Sequence, residues 1–345
     1  MTERTLHRDY YWSAEIFGEE KERIFCREWF CGGREEELAR PGDYLILDVA
    51  GESIIVVRTR EGLLRAHYNV CRHRGSRLVQ EGCKGSFTGG IRCPYHSWTY
   101  TLDGKLRTAP FLDDADGLNK ADLGLYPVGV ESWGGFFFLH LTPKEAEAQS
   151  HTLEFQLGAI PERLSRYPLQ ELRSVRRTVY DVAANWKVIL ENYNECYHCG
   201  PVHPELCRLV PAFKQRGGSE LDWERGIPHR EGAWTFTETG TSNRRPFAGL
   251  NQDELVRHKG ELVYPNFMTA SPPTMSQRIR CGRGTQVVPA EPPCTSLEKE
   301  NAPDEARSSA FPPCRLPPYP VHERQRAGWA DRLQPASRRD CPTTR

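Results

Sequence analysis

The sequence lacks an excess of charge of either sign, and it lacks long hydrophobic runs. Its 46 lysines and arginines are matched by 46 aspartates and glutamates, which argues against a nucleic-acid track or an anionic membrane face. No stretch approaches the roughly 20 apolar residues that span a bilayer. The start of the chain also lacks the basic-then-apolar pattern of a secretory signal. We therefore expect a cytoplasmic protein that binds neither nucleic acid nor membrane.

The chain also lacks a nucleotide-binding fingerprint, and its cysteine count directs attention to metals instead. No Gly-x-Gly-x-x-Gly follows a predicted strand, so the sequence offers no recognisable dinucleotide site. Its 345 residues suffice for two domains with cores of their own. Its 12 cysteines, in a reducing compartment, are more typical of thiols or metal ligands than of disulfides.

The first part of the chain divides into a helical segment and a β domain. Residues 1–40 carry apolar residues at helical spacing, which predicts an N-terminal helical segment. In residues 41–145 short alternating runs between turn signals predict a small antiparallel β domain. Three strands precede Cys71, and Asp103-Gly104 marks a hairpin because it supplies the positive φ angles of a tight turn.

Residues 146–268 predict a second, mixed domain. A polar helix is expected at about residues 144–167 and a strand at residues 175–183. A further helix, capped by Asn185, is expected to run as far as Gly200. Strands and turns then alternate to the end of the segment. The expected fold class is α+β, with helices beside an antiparallel sheet in this second domain.

Residues 269–345 break the pattern. They hold 13 of the 26 prolines, and no period of 2 or 3.6 survives. This composition is that of a disordered segment. An out-of-frame reading of a GC-rich gene produces the same mixture, and the abrupt change within a predicted strand favours that second interpretation. We therefore expect the second domain to be truncated near residue 268.

A first metal set lies in the β domain. Cys71-x-His73 is followed after nineteen residues by Cys93-x-x-His96, so that each loop contributes one thiolate and one imidazole. Two thiolates suit one iron of a [2Fe-2S] cluster and two neutral imidazoles suit the other. A structural zinc site is the alternative, since two Cys and two His also satisfy zinc. Zinc sites more often group like ligands, which favours the cluster.

A second set follows a hundred residues later. Glu191, Glu195 and His198 stand at i, i+4 and i+7, which would place them on one helix face, and His203 can curl back toward His198. Two imidazoles plus a carboxylate on iron are the ligands of oxygen-activating non-haem enzymes. Histidines at a helix end that merely bond to carbonyl groups are the alternative, and the cysteine–histidine motif upstream argues against it.

Both motifs resemble those of one protein family. Cys71-Arg-His-Arg-Gly and Cys93-Pro-Tyr-His-Ser-Trp resemble the cluster motif of Rieske proteins. The stretch from Asn185 to Pro204 resembles the catalytic signature of Rieske non-haem iron oxygenase α subunits. The resemblance covers roughly residues 10–268. It implies a small all-β Rieske [2Fe-2S] domain and a helix-grip-like catalytic domain, which is incomplete here.

Carried over residue by residue, the resemblance implies roles for the second set. His198 and His203 match the two histidines that bind a mononuclear Fe(2+). Glu195 matches the acid that links the cluster of one subunit to the iron of its neighbour in a trimer. Asn192 stands where the family often has an asparagine near the iron.

One departure concerns the third iron ligand, which in the family is an aspartate on a long helix near the C-terminus. The aspartates beyond residue 268 do not stand in a convincing helix, and none is assigned. They are Asp304, Asp331 and Asp340.

The implied activity is O2-dependent hydroxylation by the oxygenase component of a two-part system. A ferredoxin or flavin reductase would donate the electrons and use NAD(P)H itself, and the intact oxygenase would be a homotrimer. Glutamate at position 195, where ring-hydroxylating dioxygenases usually carry aspartate, is similar to members that act on glycine betaine or carnitine. We therefore favour monooxygenation and N-demethylation of a quaternary ammonium compound.

Two alternatives stay open at this point. One is an aromatic-ring hydroxylating dioxygenase α subunit. The other, from a different class, is a Rieske electron-transfer protein joined to a non-functional catalytic remnant. For a cationic substrate, aromatic side chains could in principle form a cation–π cage, although aromatic residues in this region are more often core. The candidates are Trp223, Trp234, Phe236, Tyr264 and Phe267.

Overall fold

The computed structural model describes residues 6–110, 119–143, 151–175, 177–180, 182–271, 273 and 277–280. The strands in these residues are β1 (Phe30–Arg34), β2 (Asp43–Val49), β3 (Glu52–Arg58), β4 (Leu64–Tyr68), β5 (Lys84–Ser86), β6 (Ile91–Arg92), β7 (Thr99–Tyr100), β8 (Leu106–Thr108), β9 (Pro127–Trp133), β10 (Phe136–His140), β11 (Ile227–Pro228), β12 (Arg257–Val263), β13 (Phe267–Ser271) and β14 (Gln277–Arg280).

The helices are short. The α-helices are α1 (Asp9–Trp12), α2 (Ala14–Glu20), α3 (Leu153–Leu157), α4 (Ile160–Arg163), α5 (Trp186–Asn194), α6 (Cys199–Val202) and α7 (Pro204–Leu209). A π-helical turn, Lys21–Phe25, extends α2, and 3-10 helices lie at Glu35–Leu38, Lys120–Leu123, Leu169–Glu171, Pro211–Gly218 and Glu254–Val256. The fold class is α+β, as predicted.

The first domain is built on a seven-stranded antiparallel sheet in the order β1-β10-β9-β4-β3-β2-β5. Because successive side chains of a strand point to opposite faces, β3 serves two cores. Ile54 and Val56 pack with the N-terminal helices, whereas Ile55 and Val57 pack in the core that also contains Cys71. The three strands predicted before Cys71 are confirmed as β2, β3 and β4.

A three-stranded sheet, β6-β7-β8, carries the second loop of the first metal set. The hairpin predicted at Asp103-Gly104 is confirmed between β7 and β8. Gly104 has φ +84°, and a Cβ there would lie 2.6 Å from the His67 ring. Only glycine fits this turn, because both the backbone angle and the close ring exclude a side chain.

The prediction of a helical segment across residues 1–40 is wrong after Phe25. Phe30–Arg34 is a fully buried strand that pairs with β10. A Cβ on Gly32 would lie 2.1 Å from the Phe137 ring. Any larger residue at this position would therefore prevent the close approach of β1 to β10. Tertiary pairing therefore overrides the helical spacing of the apolar residues.

The second domain contains a four-stranded antiparallel sheet, β11-β12-β13-β14. Its strands continue beyond residue 268, where the sequence pattern suggested an end. Met268 lies inside β13 and pairs with Ile279 of β14. The sheet thus extends at least to Arg280, within the predicted tail of residues 269–345. Residues 281–345 lie outside the described residues.

The strand predicted at residues 175–183 is absent from the described residues of that stretch, namely 175, 177–180 and 182–183. Val175 and Tyr180 are about four-fifths exposed, at 82% and 80%. The predicted polar helix is present as α3 and α4, and its first residues, 144–150, lie outside the described part. No helix within the described ranges is long and apolar enough to cross a membrane.

The two domains share their cores. The ring of Phe267 in β13 meets Phe136 and Phe138 of β10 edge-on, with centroids 4.9 and 5.8 Å apart. The side-chain amide of Asn266 accepts from the backbone N–H of Cys31 at 2.8 Å and donates to its carbonyl at 3.1 Å. Burying a phenylalanine contributes about 1.5–3 kcal/mol, so these contacts fix the second sheet against the first.

A buried ion pair fixes helix α5 in the same way. Glu20, which is 8% exposed, accepts from Lys187 Nζ at 2.5 Å and from Trp186 Nε1 at 2.8 Å. One carboxylate of α2 therefore holds the first turn of α5. The residues of the second metal set follow directly from this helix.

Candidate metal centres

The two loops of the first set have the same backbone hydrogen bonds. The N–H of Cys71 donates to Ser76 O at 2.8 Å, and the N–H of Cys93 donates to Trp98 O at 2.8 Å. Each cysteine carbonyl in turn accepts from the residue four positions on, at 3.0 and 3.1 Å. Those residues, Gly75 and Ser97, have φ +68° and +62°. The two loops are therefore near copies that present like side chains to each other.

The four predicted ligands come together in two pairs. The Cys71 and Cys93 thiols are buried and free, and both lie in one core. The His73 and His96 rings lie with centroids 4.8 Å apart at 67°, with His96 exposed and His73 half-buried. The histidine side of this set therefore faces the surface, and the cysteine side faces the core.

Surrounding groups hold the pairs in place. Trp98, itself buried, stacks on His73 at 4.8 Å and 8°. The Tyr100 hydroxyl lies 3.2 Å from Cys71 Sγ and accepts from the N–H of Arg72 at 3.1 Å, which leaves its own proton for the sulfur. Tyr100 was not predicted from the sequence, because only the folded hairpin brings β7 under the first loop.

The electrostatics of this site favour a thiolate at Cys93 and a neutral imidazole at His73. The neighbouring Cys71 thiol lowers the pKa of Cys93 to about 6, helped by the N–H groups of Tyr95 and His96, whereas the interaction with Cys93 and burial raise the pKa of Cys71. Burial, together with His96 and Arg74, lowers the pKa of His73. Two thiols on one side and two imidazoles on the other fit a [2Fe-2S] cluster with mixed ligands.

The helix before the second set is shorter than predicted. Asn185 caps α5 as expected, its Oδ1 accepting from the N–H of Lys187 at 3.1 Å. The helix ends at Asn194 rather than Gly200, and Glu195 is extended with φ −121° and ψ 141°. The prediction that Glu191, Glu195 and His198 share one helix face is therefore wrong.

Glu195 nevertheless reaches His198 from beyond the helix end. The Nδ1–H of His198 donates to Glu195 Oε1 at 2.8 Å, and the N–H of Tyr197 donates to Oε2 at 2.8 Å. These bonds lower the pKa of Glu195, so its carboxylate is charged. Because Nδ1 carries the proton, Nε2 of His198 is free to bind a metal, in the carboxylate–histidine arrangement of many metal sites.

His203 lies beside His198, with ring centroids 5.4 Å apart at 79°. Two adjacent imidazoles can supply two ligands of a non-haem iron, while Glu195 bonds to His198 on the side away from its Nε2. Within the described ranges, no group of three or more His, Cys, Asp or Glu side chains converges on a single metal position. The three aspartates considered as third ligands lie outside the described residues.

An open cavity of about 1070 Å³ adjoins this site. Asn192, Glu195 and His198 line it, and so does Glu191, whose carboxylate accepts from the Tyr11 hydroxyl at 2.6 Å. Glu191 therefore faces the N-terminal helices and does not contact His198.

The aromatic residues considered for a cation–π cage do not come together. Tyr264 lines the large cavity. Phe267 is buried in the core between the domains, and Trp223 and Phe236 pack in a separate core with Phe213. Trp234 is half-buried in a loop after β11. These five residues therefore do not form a single aromatic cage.

Cysteines near the histidines are a feature that the sequence reasoning missed. The described free thiols are all buried, and three of them flank His198 and His203, namely Cys196, Cys199 and Cys207. The spacing Cys196-x-x-Cys199 in the sequence could have indicated that these cysteines lie near the histidines. Cys26 and Cys83 are disulfide-bonded, contrary to the expectation of thiols.

Comparison with known families finds a match over each of the two domains. The Rieske [2Fe-2S] domain family matches residues 28–127, and the ring hydroxylating alpha subunit (catalytic domain) family matches residues 169–313. The second match includes residues that the sequence pattern assigned to the aberrant tail.

Similar proteins act on quaternary ammonium compounds. The carnitine monooxygenase oxygenase subunit of Acinetobacter baumannii is 38% identical over 221 residues, 64% of this chain and 58% of that protein. The glycine betaine monooxygenase oxygenase subunit of Pseudomonas aeruginosa is 37% identical over 207 residues, 60% and 46% of the two. The chain thus spans about half the length of these relatives.

Solved structures that resemble this chain include a monooxygenase and a dioxygenase. A crystal structure of the quaternary ammonium Rieske monooxygenase CntA has 32% sequence identity and a TM-score of 0.61, covering 78% of this chain and 68% of that one. Naphthalene 1,2-dioxygenase from Rhodococcus has a TM-score of 0.59 at 24% identity, over 80% and 70% of the two chains, and shares the fold.

Proposed function

Because the chain belongs to the family of Rieske non-haem iron oxygenase α subunits, we propose that it is the oxygenase component of a two-part system. The family's cofactors are a [2Fe-2S] cluster and a mononuclear iron. When bound, the cluster supplies single electrons and the iron supplies activation of O2. The proposed activity is O2-dependent hydroxylation of a small organic substrate.

Six side chains would hold these groups. Cys71 and Cys93 would bind one cluster iron, and His73 and His96 the other. His198 and His203 would bind the mononuclear iron through neutral imidazoles. What supports this is the pairing of thiol with thiol and of imidazole with imidazole, which arises from two similar loops.

The assignment of the second site depends on Glu195. Its charged carboxylate fixes the tautomer of His198 by accepting the Nδ1 proton at 2.8 Å. Half of its side chain is exposed, which leaves room for a second partner. We propose that this partner is the exposed histidine edge of a neighbouring subunit's cluster, so that Glu195 joins the two sites across the interface of a homotrimer.

The electron donor would be a separate protein. A ferredoxin or flavin reductase is proposed, with NAD(P)H used by that partner. A structure of CntA is described as revealing inter-subunit electron transfer, which supports the same arrangement here.

The proposed substrate is a quaternary ammonium compound, which the enzyme would hydroxylate on an N-methyl group or a neighbouring carbon. The names of the relatives support this class, and the cavity beside His198 adds a physical reason. Glu191 and Glu195 place negative charge along its wall, where Glu20 is already paired with Lys187. Trp186 and Tyr264 add aromatic faces. A cationic headgroup is attracted to both.

Iron counting combined with a substrate panel tests the proposal. The protein is loaded anaerobically, mixed with a reductase and incubated with carnitine, glycine betaine, choline and naphthalene. We expect cluster iron plus a further mononuclear iron per chain, and O2 uptake with a quaternary ammonium compound. Naphthalene turnover would instead identify an aromatic-ring dioxygenase.

The alternative function, electron transfer without catalysis, predicts a different result. A Rieske electron carrier with a catalytic remnant would bind cluster iron alone and consume no O2 with any reductase. His203→Ala separates the two sites, because it should remove mononuclear iron and leave the visible spectrum of the cluster intact. Loss of both would contradict the two-site assignment.

A further inference from the structure

Three buried thiols surround the turn that carries His198. Cys196, Cys199 and Cys207 are 7%, 4% and 2% exposed, and all three are free. All three pack in one core. Cys207 donates its S–H to the carbonyl of Cys199 at 3.2 Å. The Cys207 thiol is thus engaged with the backbone, whereas Cys196 and Cys199 lie three residues apart in the turn that carries His198.

The backbone between Cys196 and Cys199 favours a bond between them. The N–H of Cys199 donates to Cys196 O at 2.9 Å, which closes a four-residue turn. The ends of such a turn lie less than about 7 Å apart, and disulfides join Cα atoms about 4.4–6.8 Å apart. A disulfide can therefore form with little movement of the chain outside the turn.

His198 lies inside this turn. Its Nδ1 bonds to Glu195 at 2.8 Å, and its Nε2 is 4.0 Å from Cys199 Sγ. Two free thiols must come closer together to reach the S–S bond length of about 2.05 Å. Because the turn has only two residues between the cysteines, that approach must alter the direction of His198.

A glycine packs closely against one cysteine of the pair. Gly218 has φ +74°, and a Cβ there would lie 2.4 Å from Cys196 Cβ. Because Cys196 is covered in this way and is only 7% exposed, an oxidant that reaches its thiol must be small.

We propose that Cys196 and Cys199 are a redox-sensitive dithiol, which a peroxide converts to a disulfide that takes His198 out of its hydrogen bond with Glu195. One thiol attacks hydrogen peroxide to give a sulfenic acid and water. The second thiol attacks that sulfur, the S–S bond forms, and a second water leaves. Two thiols are oxidised by two electrons, and one peroxide is reduced to two waters.

The switch acts on the mononuclear site. Oxidation would weaken metal binding at His198, and a thiol reductant would restore it. Hydrogen peroxide is released when O2 is reduced without oxidation of a substrate, so the source of the oxidant rests on the proposed function. Formation of the disulfide does not, because peroxide can be supplied from outside.

Peptide mass spectrometry tests the bond. The full-length, cluster-loaded protein is treated with hydrogen peroxide or, separately, with the dithiol oxidant diamide, and remaining thiols are alkylated. We expect the peptide containing both cysteines to lose two hydrogens, to resist alkylation, and to recover with dithiothreitol. Cys207→Ser should behave in the same way, whereas Cys196→Ser and Cys199→Ser should not form the bond. Circular dichroism and the cluster spectrum verify that each variant is folded.

Other patterns would overturn the proposal. Full alkylation of Cys196 and Cys199 after treatment would do so, as would a bond between Cys199 and Cys207. Because peroxide also attacks clusters, peptides containing Cys71 and Cys93 are followed separately, and a bond confined to them counts against the proposal as well.

Iron retention tests the consequence. We expect oxidation to weaken ferrous iron binding at His198 and His203 about 10-fold or more in the unaltered protein, and to leave Cys196→Ser unchanged. A disulfide with full iron retention would refute the switch. If the reduced protein binds no mononuclear iron at all, the proposed function fails, and the mass spectra still decide whether the dithiol exists.

Discussion

Glu195 and His198 are joined by a 2.8 Å hydrogen bond that crosses from one secondary-structure element to the next. Glu195 is extended after the last residue of α5, and His198 precedes α6. The bond therefore depends on the chain leaving the helix at Asn194. A helix continued to His198 would place the two residues on one face, but it would also consume the N–H of Tyr197 that now bonds to Glu195.

Replacing Glu195 with glutamine should weaken iron binding about 10- to 100-fold, because the amide no longer fixes the tautomer of His198 with a negative charge. A ferrous iron titration with the cluster spectrum as internal reference measures the effect. Glu191→Gln is the matched control, since it lines the same cavity and bonds to Tyr11. Equal losses in both variants would mean that the cavity wall, and not the bond, determines affinity.

Replacing Tyr100 with phenylalanine should lower the reduction potential of the cluster. The hydroxyl lies 3.2 Å from Cys71 Sγ, and donors to sulfur favour the reduced state. A hydrogen bond of about 1 kcal/mol corresponds to about 40 mV for one electron. Redox titration followed by visible absorption measures the shift. Tyr95→Phe, at an exposed residue beside His96, should change the potential little; a similar drop there would contradict the role of Tyr100.

Replacing Glu20 with alanine should lower the free energy of unfolding by about 3 kcal/mol or more, because Lys187 is left buried without its partner. Chemical denaturation measures this change. Glu19→Ala, which removes an exposed pair with Arg23 at 3.5 Å, should cost less than about 1 kcal/mol. In the double variant Glu20→Gln with Lys187→Met, much of the loss should be recovered; no recovery would show that the charge is not the cause.

Stability should fall in acid because of His258. Burial lowers its pKa to about 3 from an ordinary value of 6.5, so the unfolded chain takes up a proton first as pH falls. The stability contributed by neutral His258 is thus full above pH 6.5 and is lost toward its folded pKa. Between pH 7 and pH 5 the expected loss is about 2 kcal/mol.

Denaturation of His258→Gln at both pH values checks this assignment, since glutamine does not titrate. The difference between pH 7 and pH 5 should shrink by about 2 kcal/mol relative to the unaltered protein. His7→Gln, at an exposed residue, should retain the full difference. A variant of His258 that keeps the same pH dependence would assign the effect to other groups.

Much of the first domain was predictable, because its signals are local. Alternating apolar residues predicted β2, β3 and β4, and the Asp-Gly pair predicted the hairpin between β7 and β8. The same locality brought the cluster residues together. Each loop fixes one thiol and one imidazole through hydrogen bonds within six residues, so spacing in sequence was enough to predict the set.

The second site was predictable in residues and not in geometry. Helical spacing of apolar side chains continues to Tyr197, but Glu195 leaves the helix to bond with Tyr197 and His198. Residues 175–183 alternate like a strand, but no neighbouring strand pairs with the part of this stretch that the structure describes. Strand formation needs a partner, and sequence periodicity does not supply one.

By itself, the sequence determined the types and spacing of the metal-binding residues, since these depend on short loops and on chemistry that each side chain carries alone. Only the tertiary structure decided that Phe30–Arg34 is a strand, that Glu20 holds Lys187, that Tyr100 reaches Cys71, and that one turn holds Cys196 and Cys199 on either side of His198. The first three join residues 29 to 167 positions apart, and the last depends on where a helix ends. Such contacts are set by packing, which no local pattern records.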